Sequence, residues 1–425
     1  HIVLDPTANC AAAMELPIRL WLFLAGVAAN VPSKEDCGGA DPDAWISPIW
    51  ASRGFHVICI APDCSAGSDS DGHCKASEPT AKVCWGAVKS DCQELPGLAS
   101  ILAEEGPDSL VSLQDLLTEG RPVANPRRFK RLLNARLKHG KIPLSYGFFA
   151  VEDDTQTPRR LESLTGQSGM ILAFEGGTFV WPGIQVGFRR NMTIRPVNSP
   201  PIELQMETRS LQPLVVEISS FLDASDCQHI IDKALPHIKK STVKHMDHDV
   251  GKPDANWRTS STYFMPSDDD ILRRVDERVS ALSLIRKSHQ ELAQILRYQP
   301  GEKYVAHNDN FDVEMYAKNK QIQSLTKQGL FNRLATVFFY LTDVEEGGAT
   351  NFPRTDGLPQ PEDFSDCSRG ISVDPKRGRI IIFYSLHPSA EADEYSLHAG
   401  CEVKQGTKWS ANKWIWNKPM DYISE

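Results

Sequence analysis

The sequence lacks an excess of positive charge. Its 425 residues carry 46 lysines and arginines against 55 aspartates and glutamates, a formal net charge of -9. Nucleic-acid-binding domains usually present a basic surface, so this balance argues against a nucleic-acid partner. No stretch reaches the roughly 18 apolar residues that a transmembrane helix needs, so no membrane span is predicted. No two cysteines have the Cys-x2-Cys spacing that is frequent in zinc sites.

The apolar segments that do occur are short. Residues 14–29 read MELPIRLWLFLAGVAA, with Arg19 near the front, an apolar run after it and small residues at the end. This layout is typical of a secretory signal peptide that is cleaved after Ala29, and a buried core helix is the alternative. We interpret residues 1–13, which precede the first methionine, as leader sequence outside the native fold.

Cysteines are concentrated near the N-terminus. Six of the ten lie from Cys37 to Cys92, in a stretch rich in Gly, Ser, Asp and Pro. An even, crowded set in a secreted chain predicts a disulfide-stapled segment, here residues 30–108, whose pairing the sequence does not fix. The sequon Asn-Met-Thr makes Asn191 a glycosylation candidate in the secretory lumen. We therefore expect the endoplasmic reticulum lumen or the secretory pathway as the location.

Residues 109–210 form a region of helices and strands without a predicted role. The apolar spacing in 109–141 predicts two short helices broken at GRPVANP. Residues 169–194 contain β-branched and aromatic runs separated by glycine pairs, which predicts strands and a hairpin. Residues 197–204, VNSPPIEL, are typical of a linker.

Residues 211–418 show the clearest pattern. The segment PLVVEISSFL predicts a strand, and DASDCQHIIDKALPHI predicts a helix that opens with capping residues. A second helix is predicted in SDDDILRRVDERVSALSLI, where one face carries Ile271, Leu272, Val275, Val279 and Leu282. Several short strands separated by turn residues follow. This order predicts a mostly β, α+β domain: a β-sandwich or jelly roll with helices packed on one side.

Two His-x-Asp pairs compete as metal ligands. His307 and Asp309 follow a strand and a turn in RYQPGEKYVAHNDNF, and His398 lies in a later strand pattern. Two histidines and one carboxylate on one face are the ligand set of iron(II) oxygenases. His245 and Asp247 precede a polar, turn-rich loop instead. We interpret that second pair as exposed loop residues.

Lys408 is a candidate partner for an organic acid bound to the metal. It follows His398 by an even number of residues, and an even spacing along one regular strand returns a side chain to the same face. A turn at KQG intervenes, so the spacing is suggestive only.

Several stretches resemble, in order, the catalytic domain of the plant and algal prolyl 4-hydroxylases, which are iron- and 2-oxoglutarate-dependent dioxygenases. They are WRTSSTYF, RYQPGEKYVAHNDNF, RLATVFFYLTDVEEGGATNFP, GRIIIFYSL and SLHAGCEVKQGTKWSANKWIW, and they span about half the chain. The resemblance implies a double-stranded β-helix fold and conversion of peptidyl proline to 4-hydroxyproline. It also implies Fe(2+), 2-oxoglutarate and L-ascorbate as cofactors and a proline-rich or collagen-like polypeptide as partner.

The resemblance also implies residue roles, position by position. The implied iron ligands are His307, Asp309 and His398. The implied residues around 2-oxoglutarate are Lys408, Tyr298 and Thr350. The implied catalytic and peptide-binding residues are Tyr304, Arg333, Arg258 and Ser260. Cys367 and Cys401 flank the strands that lead into the site, and we predict a disulfide between them.

Plain structural roles remain open for some of these residues. Tyr298 and Tyr304 are also explained as half-buried strand aromatics, Arg333 as an ion-pair residue, and Trp409 and Trp414 as core. The sequence departs from the family pattern in three places: Trp416 replaces a common His or Arg, Glu402 replaces a usual Pro, and residues 316–332 form a longer connection.

Other functions stay open at this level. The same chemistry on another residue or on a small molecule is one alternative. A catalytically weak binding protein, targeted by its Cys-rich segment, is the other. The intact ligand set and Lys408 favour an enzyme. The oligomeric state is not predicted.

Overall fold

The computed structural model describes two stretches of the chain. The first covers residues 37–61 without 38, 46, 48 and 51–52, together with 80–85, 92–94, 101 and 106–119. The second covers residues 146–420 without 152–156, 166, 168, 198 and 328. The leader, the signal peptide and the second short helix expected before residue 141 fall outside these ranges. Across the described ranges, no helix has the length and apolar character to cross a membrane.

The N-terminal part contains an antiparallel sheet. Its strands are β1 (Phe55–Ala61), β2 (Thr80–Trp85), β3 (Cys92–Glu94), β4 (Gly147–Val151), β5 (Pro158–Arg160) and β6 (Gly169–Phe174), in the order β3-β2-β1-β6-β4-β5. Helix α1 (Asp108–Glu119) covers one face through Leu110, Leu113 and Leu117. The sheet thus combines strands from residues 55–94 and 147–174, across the boundary expected at residue 108, and we call this unit the N-terminal sheet.

The Cys-rich segment is tied to this sheet. Cys37 and Cys59 form a disulfide that links the chain before β1 to the middle of β1. Both cysteines are buried in the core between the N-terminal sheet and the rest of the molecule. The predicted pairing of the other four cysteines of the segment lies outside what the structure describes.

A larger antiparallel sheet forms the C-terminal part. Its strands are β7 (Arg189–Ile194), β8 (Ile202–Leu211), β9 (Leu214–Ile218), β10 (Lys239–Lys240), β11 (Ser261–Met265), β12 (Ala293–Tyr298), β14 (Arg333–Tyr340), β18 (Ile380–Tyr384) and β21 (Lys408–Trp416). Their order is β10-β11-β12-β21-β14-β18-β9-β8-β7. We call this the major sheet.

Two sequence predictions were wrong at the start of the major sheet. Strand β6 pairs with β1 and β4, whereas β7 pairs with β8, so residues 169–194 do not form a hairpin. The expected linker overlaps β8, which begins at Ile202. The major sheet therefore extends to Arg189, upstream of the boundary expected at residue 211.

A smaller sheet faces the major sheet. It consists of β13 (Tyr304–His307), β16 (Thr350–Phe352), β17 (Ile371–Val373) and β19 (His398–Gly400), in the order β13-β19-β16-β17. Strands β15 (Glu346–Gly347) and β20 (Val403–Gln405) form a further pair. Aromatic side chains between the sheets include Tyr298, Phe338, Tyr340, Phe352 and Phe383. The arrangement is the predicted jelly roll, a double-stranded β-helix.

The two predicted helices cover the outer face of the major sheet. Helix α2 (Ala224–Ala234) begins after the N-cap Asp223, and α3 (Asp270–Ser283) begins after Asp269. Each aspartate accepts a hydrogen bond from a backbone amide of the first turn, which stabilises the helix start. On α3 the predicted face is buried except for the half-buried Ile271. A short helix, α4 (Lys320–Leu325), lies within the long connection 316–332.

The N-terminal sheet packs on this core through aromatic residues. Trp181 is fully buried and stacks on Trp45 with ring centroids 6.1 Å apart. Its indole Nε1–H donates to the carbonyl of Leu282, and its backbone N–H donates to the Tyr384 hydroxyl. The two sheets are therefore joined by a shared core and by specific hydrogen bonds.

Candidate metal centre

Three side chains converge between the two facing sheets. His307 ends β13, His398 begins β19, and the two residues lie opposite each other in the antiparallel pair. Asp309 lies two residues after His307 and is buried. One ligand atom from each of the three residues lies within 4.8 Å of the other two. These are the three ligands expected from the sequence, and their carboxylate and two imidazoles converge on one place.

Backbone carbonyls orient both imidazoles. Nδ1 of His307 lies 2.9 Å from the carbonyl oxygen of Val305, and Nδ1 of His398 lies 3.0 Å from that of Ser396. Because a carbonyl only accepts, each Nδ1 carries the proton and each Nε2 presents its lone pair. The Nε2 atoms lie 3.8 Å and 3.5 Å from the two carboxylate oxygens of Asp309. Histidine ligands of metals are oriented in this way.

Asp309 is fixed by the neighbouring strand β14. The Thr336 hydroxyl donates to Oδ2 of Asp309 at 2.5 Å, and Arg333 donates to its backbone carbonyl at 3.3 Å. Burial alone would raise the pKa of the Asp309 carboxyl, but the two histidines and the Arg333 guanidinium bring the pKa below its usual range. Asp309 is therefore ionised and aimed at the histidines.

The histidine beside it stays neutral. Burial, together with the neighbouring His398, lowers the pKa of His307 to about 3. A neutral imidazole and an ionised carboxylate are the forms that bind a metal. The donor set therefore fits one divalent cation held by two nitrogens and one carboxylate, which is the facial arrangement of non-haem iron(II) sites.

Lys408 lies inside the barrel without a hydrogen-bond partner. Its side chain is 1% exposed, and its Nζ is unsatisfied among the described residues. The ammonium lies over the rings of Tyr298, Phe338 and Tyr340, at 5.2 to 5.7 Å from their centroids. Burial lowers the pKa of Lys408 to about 7. A buried cation without a partner costs free energy unless an anion binds beside it, so the pocket fits a carboxylate.

The reason for expecting Lys408 near the metal was wrong, although the residue lies in the barrel. His398 is on β19 of the smaller sheet and Lys408 is on β21 of the major sheet. Spacing along one strand therefore does not relate them. Lys408 is placed instead by its register with Tyr298 on β12.

Tyr340 is a residue of this pocket that the sequence analysis missed. Its hydroxyl donates to the Thr350 hydroxyl at 2.8 Å, and both residues are buried. Tyr298 is also buried, at 3% exposure. Tyr340 follows Thr336 by an even number of residues in a strand of apolar residues, so both side chains point to the same face of the sheet. That spacing was the signal for Tyr340 in the sequence.

Arg333 forms a half-buried ion pair, as the plain structural alternative proposed. Its Nε and Nη2 donate to the two carboxylate oxygens of Glu291 at 2.6 and 2.9 Å. The guanidinium also lies 3.6 Å from the ring centroid of Trp414. Trp416, which replaces a family His or Arg, donates from Nε1 to the same glutamate at 2.6 Å. Glu291, missed in the sequence, thus joins Arg333 and Trp416, while a direct catalytic role of Arg333 stays a prediction.

Tyr304 and Arg258 form a stack against the metal ligands. The Tyr304 ring stacks on His307 with centroids 3.7 Å apart, and the Arg258 guanidinium lies 4.7 Å from the Tyr304 centroid. Arg258 Nε donates to the Ser260 hydroxyl at 2.8 Å, whereas its Nη2 is buried without a partner among the described residues. Ser260 is fully buried and also bonds Ser241. Ser260 therefore orients Arg258 in this structure, and its contact with a peptide stays a prediction.

The second His-x-Asp pair is not a set of free loop residues. His245 Nε2 lies 2.8 Å from a carboxylate oxygen of Asp254, and its ring packs edge-on against Trp257. Asp247 accepts a hydrogen bond from the backbone N–H of Lys318 at 2.7 Å. Both are half-buried, so describing them as exposed was wrong, but neither joins a metal-ligand cluster in the described part of the chain.

The remaining predicted residues are not part of the ligand set. Cys367 and Cys401 form the predicted disulfide, with Cα atoms 6.1 Å apart. Asn191 is exposed on β7, the edge strand of the major sheet, so its side chain is open to the solvent. Trp409 belongs to the core, as its plain structural role proposed, whereas Trp414 supports Arg333.

A family of known proteins matches the part of the chain that carries this site. The sequence model of the 2OG-Fe(II) oxygenase superfamily matches residues 293–416. That range contains His307, Asp309, His398 and Lys408. The N-terminal sheet lies outside it.

The chain is also similar to curated plant proteins and to a solved viral structure. The chain is 38% identical to probable prolyl 4-hydroxylase 10 of Arabidopsis thaliana, over 50% of this chain and 72% of the relative. It is 37% identical to probable prolyl 4-hydroxylase 3 of the same plant, over 49% and 71%. A viral collagen prolyl hydroxylase from Paramecium bursaria Chlorella virus-1, solved with 2-oxoglutarate, is 25% identical, with coverage of 48% and 95% and a TM-score of 0.34.

Proposed function

The chain belongs to the prolyl 4-hydroxylases, which are iron(II)- and 2-oxoglutarate-dependent dioxygenases, and we propose that its substrates are proline-rich or collagen-like polypeptides of the secretory pathway. Its activity is the hydroxylation of peptidyl proline. The observation that carries the proposal is the convergence of two imidazoles, one ionised carboxylate and a buried lysine without a hydrogen-bond partner among the described residues inside one barrel.

Iron(II) would be held by His307, Asp309 and His398. Support comes from the three inward-facing donor atoms and from their orientation by Val305, Ser396 and Thr336. The two carbonyls turn each Nε2 towards the site, and the Thr336 hydroxyl fixes the Asp309 carboxylate, so the site is preorganised for a cation.

The cosubstrate 2-oxoglutarate would bind with its distal carboxylate on Lys408. A charged hydrogen bond would satisfy the unpaired Nζ, and the Tyr340–Thr350 pair would offer further hydroxyl groups close to that end of the pocket. The surrounding aromatic rings exclude water, which strengthens the ion pair.

When bound, iron(II) and 2-oxoglutarate would supply, with molecular oxygen as the oxidant, oxidative decarboxylation coupled to C–H hydroxylation: one oxygen atom enters succinate, the other enters the substrate, and carbon dioxide leaves. The part of this chain is to hold the ligands in fixed protonation states, to anchor the cosubstrate and to keep the site dry. We propose L-ascorbate as the reductant of the cycle, on the family resemblance alone.

A peptide would approach along the Tyr304 side of the site. The Arg258 guanidinium has one buried nitrogen without a partner in the described part of the chain, so it offers a donor for a peptide carbonyl. Proline-rich chains favour an extended polyproline II conformation in which the backbone carbonyls remain free. Such a segment can present both its ring and its carbonyls to the site.

The secretory location rests on other parts of the chain. Two disulfides, Cys37–Cys59 and Cys367–Cys401, form in the described residues, and disulfides persist in oxidising compartments. The exposed Asn191 sequon and the signal-peptide-like segment 14–29 agree with entry into that compartment.

The test is 2-oxoglutarate turnover by the full chain with a panel of peptides. Proline-rich and collagen-like peptides should stimulate succinate formation, and mass spectrometry should place one added oxygen on proline. Matched peptides with alanine in place of proline are the control. Oxygen found on another residue, or turnover that no peptide stimulates, would contradict the proposed substrate. Oxygen on proline only in peptides unlike secretory chains would contradict the location.

A further inference from the structure

A cavity of about 540 Å³ opens beside the metal centre. Asn308 and Asn310, the neighbours of the ligand Asp309, form part of its lining. Residues 386 and 390–394 also line it. Together with the residues between them, they form a segment that we call the wall loop (386–394). One lining residue, Arg53, comes from the N-terminal sheet region, directly before β1.

The wall loop is a tight reversal that leads from β18 back towards His398. Leu386 and Ala392 form a bridge across it, and the backbone N–H of His387 donates to the carbonyl of Glu391 at 2.7 Å. Ala390 takes a left-handed conformation with φ of 63°. A side chain other than glycine adopts this conformation only where its surroundings impose it.

Those surroundings are supplied by the N-terminal sheet. The backbone N–H of Gly176 donates to the carbonyl of Pro388 at 2.5 Å, and a Cβ on Gly176 would lie 2.3 Å from that oxygen. A Cβ on Gly54 would lie 3.2 Å from Cα of Ser389. A side chain at Gly176 would therefore push the wall loop away, whereas one at Gly54 would meet Glu175 first. The sheet contacts the loop at backbone level.

Arg53 adds a side-chain contact to the same loop. Its Nη1 lies 3.8 Å from a carboxylate oxygen of Glu391, and both side chains are partly exposed where they line the cavity. The ion pair is thus available both to hold the loop and to meet a molecule in the cavity.

We propose that the N-terminal sheet is a substrate-positioning part of the enzyme: it holds the wall loop, and with Arg53 it completes the cavity that receives the polypeptide flanking the target proline. The inference rests on the proposed function for the identity of that polypeptide. Arg53 and Gly176 lie outside the superfamily match at 293–416, so the contribution is a property of this chain's additional sequence. Neither is a catalytic residue, because neither touches the metal ligands or Lys408.

The first experiment uses Arg53→Ala in the full chain, with Arg189→Ala as the matched control. Arg189 is also an exposed arginine in an ion pair, at 2.9 Å from Glu207, but it lies on the edge strand β7. Loss of a partly exposed ion pair predicts a rise of about two- to fivefold in the KM for peptide. The KM for 2-oxoglutarate and the melting temperature should stay at wild-type values. The control should change none of the three.

The second experiment uses Gly176→Ala, which should displace the wall loop. The KM for peptide should rise by more than in Arg53→Ala, while the KM for 2-oxoglutarate stays within twofold. Should this variant fail to fold, Arg53→Ala decides alone, because its side chain lies at the surface. An unchanged peptide KM in Arg53→Ala, or an equal rise in both KM values, would overturn the inference.

A binding measurement separates this inference from the proposed function. A fluorescently labelled proline-rich peptide is titrated with each protein under nitrogen, and its anisotropy is followed. Weaker binding to Arg53→Ala than to wild type and Arg189→Ala supports the inference. Equal binding to all three proteins overturns it. Absence of both binding and turnover in the wild type overturns the proposed substrate, and with it the inference.

Discussion

His307 and His398 lie directly opposite each other on the antiparallel strands β13 and β19, with their ring centroids 4.4 Å apart. The chain between them contributes β14 and β18 to the major sheet and β16 and β17 to the smaller sheet. Antiparallel pairing therefore fixes the distance between two metal ligands that are remote in sequence. The third ligand, Asp309, needs no such pairing, because it follows His307 by two residues.

The first prediction follows from this arrangement. His307→Ala, Asp309→Ala and His398→Ala should each abolish iron-dependent turnover, because each removes one of three ligands. His245→Ala is the control, since His245 bonds Asp254 instead. It should keep near wild-type turnover, with succinate formation as the measurement. An inactive His245→Ala beside an active His307→Ala would reverse the assignment of the two His-x-Asp pairs.

The second prediction concerns the hydroxyl behind Asp309. Thr336→Val removes the donor to Oδ2 at little change in shape, so the carboxylate should lose its fixed orientation. Loss of such a supporting contact typically lowers metal affinity about ten- to a hundredfold. Iron titration of turnover measures the effect. Thr262→Val, which removes a strand hydroxyl bonded to the Ile295 carbonyl, is the control. Equal iron requirements in the two variants would contradict the role of Thr336.

The third prediction concerns the disulfide between Cys367 and Cys401. The bond joins residues 34 positions apart. Closing a loop of this size contributes about 3–4 kcal/mol in the chain-entropy model. The double variant Cys367→Ser, Cys401→Ser should therefore lose about that much free energy of unfolding, measured in urea. Free thiols at both positions in protein made through the secretory route would contradict the bond.

The barrel and the metal ligands could be predicted from the sequence because both depend on local patterns. Alternating strands and the two amphipathic helices are local patterns, so each was visible without knowledge of its partner. The choice of His307 over His245 also depended on local context, namely a preceding strand and turn. These features needed no information about pairing between distant segments.

Features that depend on strand register were not visible in the sequence. Thr336 and Tyr340 act because β14 turns them towards the smaller sheet, and a bulge between Arg333 and Ala335 shifts the register at the start of that strand. Lys408 was expected near the metal from its spacing, yet pairing with Tyr298 places it. The sequence prediction divided the N-terminal sheet between two regions, because its six strands come from separate stretches of sequence.

The fourth prediction concerns the anchor of the cosubstrate. Lys408→Ala should weaken binding of 2-oxoglutarate far more than binding of peptide, because Nζ is the unpaired cation of the pocket. A charged hydrogen bond contributes about 1.5–3 kcal/mol, so the 2-oxoglutarate requirement should rise about ten- to a hundredfold. The KM values for cosubstrate and peptide measure this directly. An unchanged 2-oxoglutarate requirement would remove Lys408 as the anchor and leave Arg333 as the next candidate.

The fifth prediction is a pH dependence with a defined sign. Burial lowers the pKa of Lys408 to about 7, so the free enzyme loses the ammonium as the pH rises through neutrality. The carboxylates of 2-oxoglutarate stay ionised there, and His307, with a pKa lowered to about 3 by burial and His398, stays neutral. The facing Tyr340 stays protonated, because burial raises the pKa of its phenol. The KM for 2-oxoglutarate should therefore rise between about pH 6.5 and pH 8.5.

Lys408→Arg is the matched control, because a guanidinium keeps its proton across this range. Its planar fork fits the pocket poorly, so its KM should be higher than in the wild type but flat with pH. A parallel rise in Lys408→Arg would assign the titration to another group.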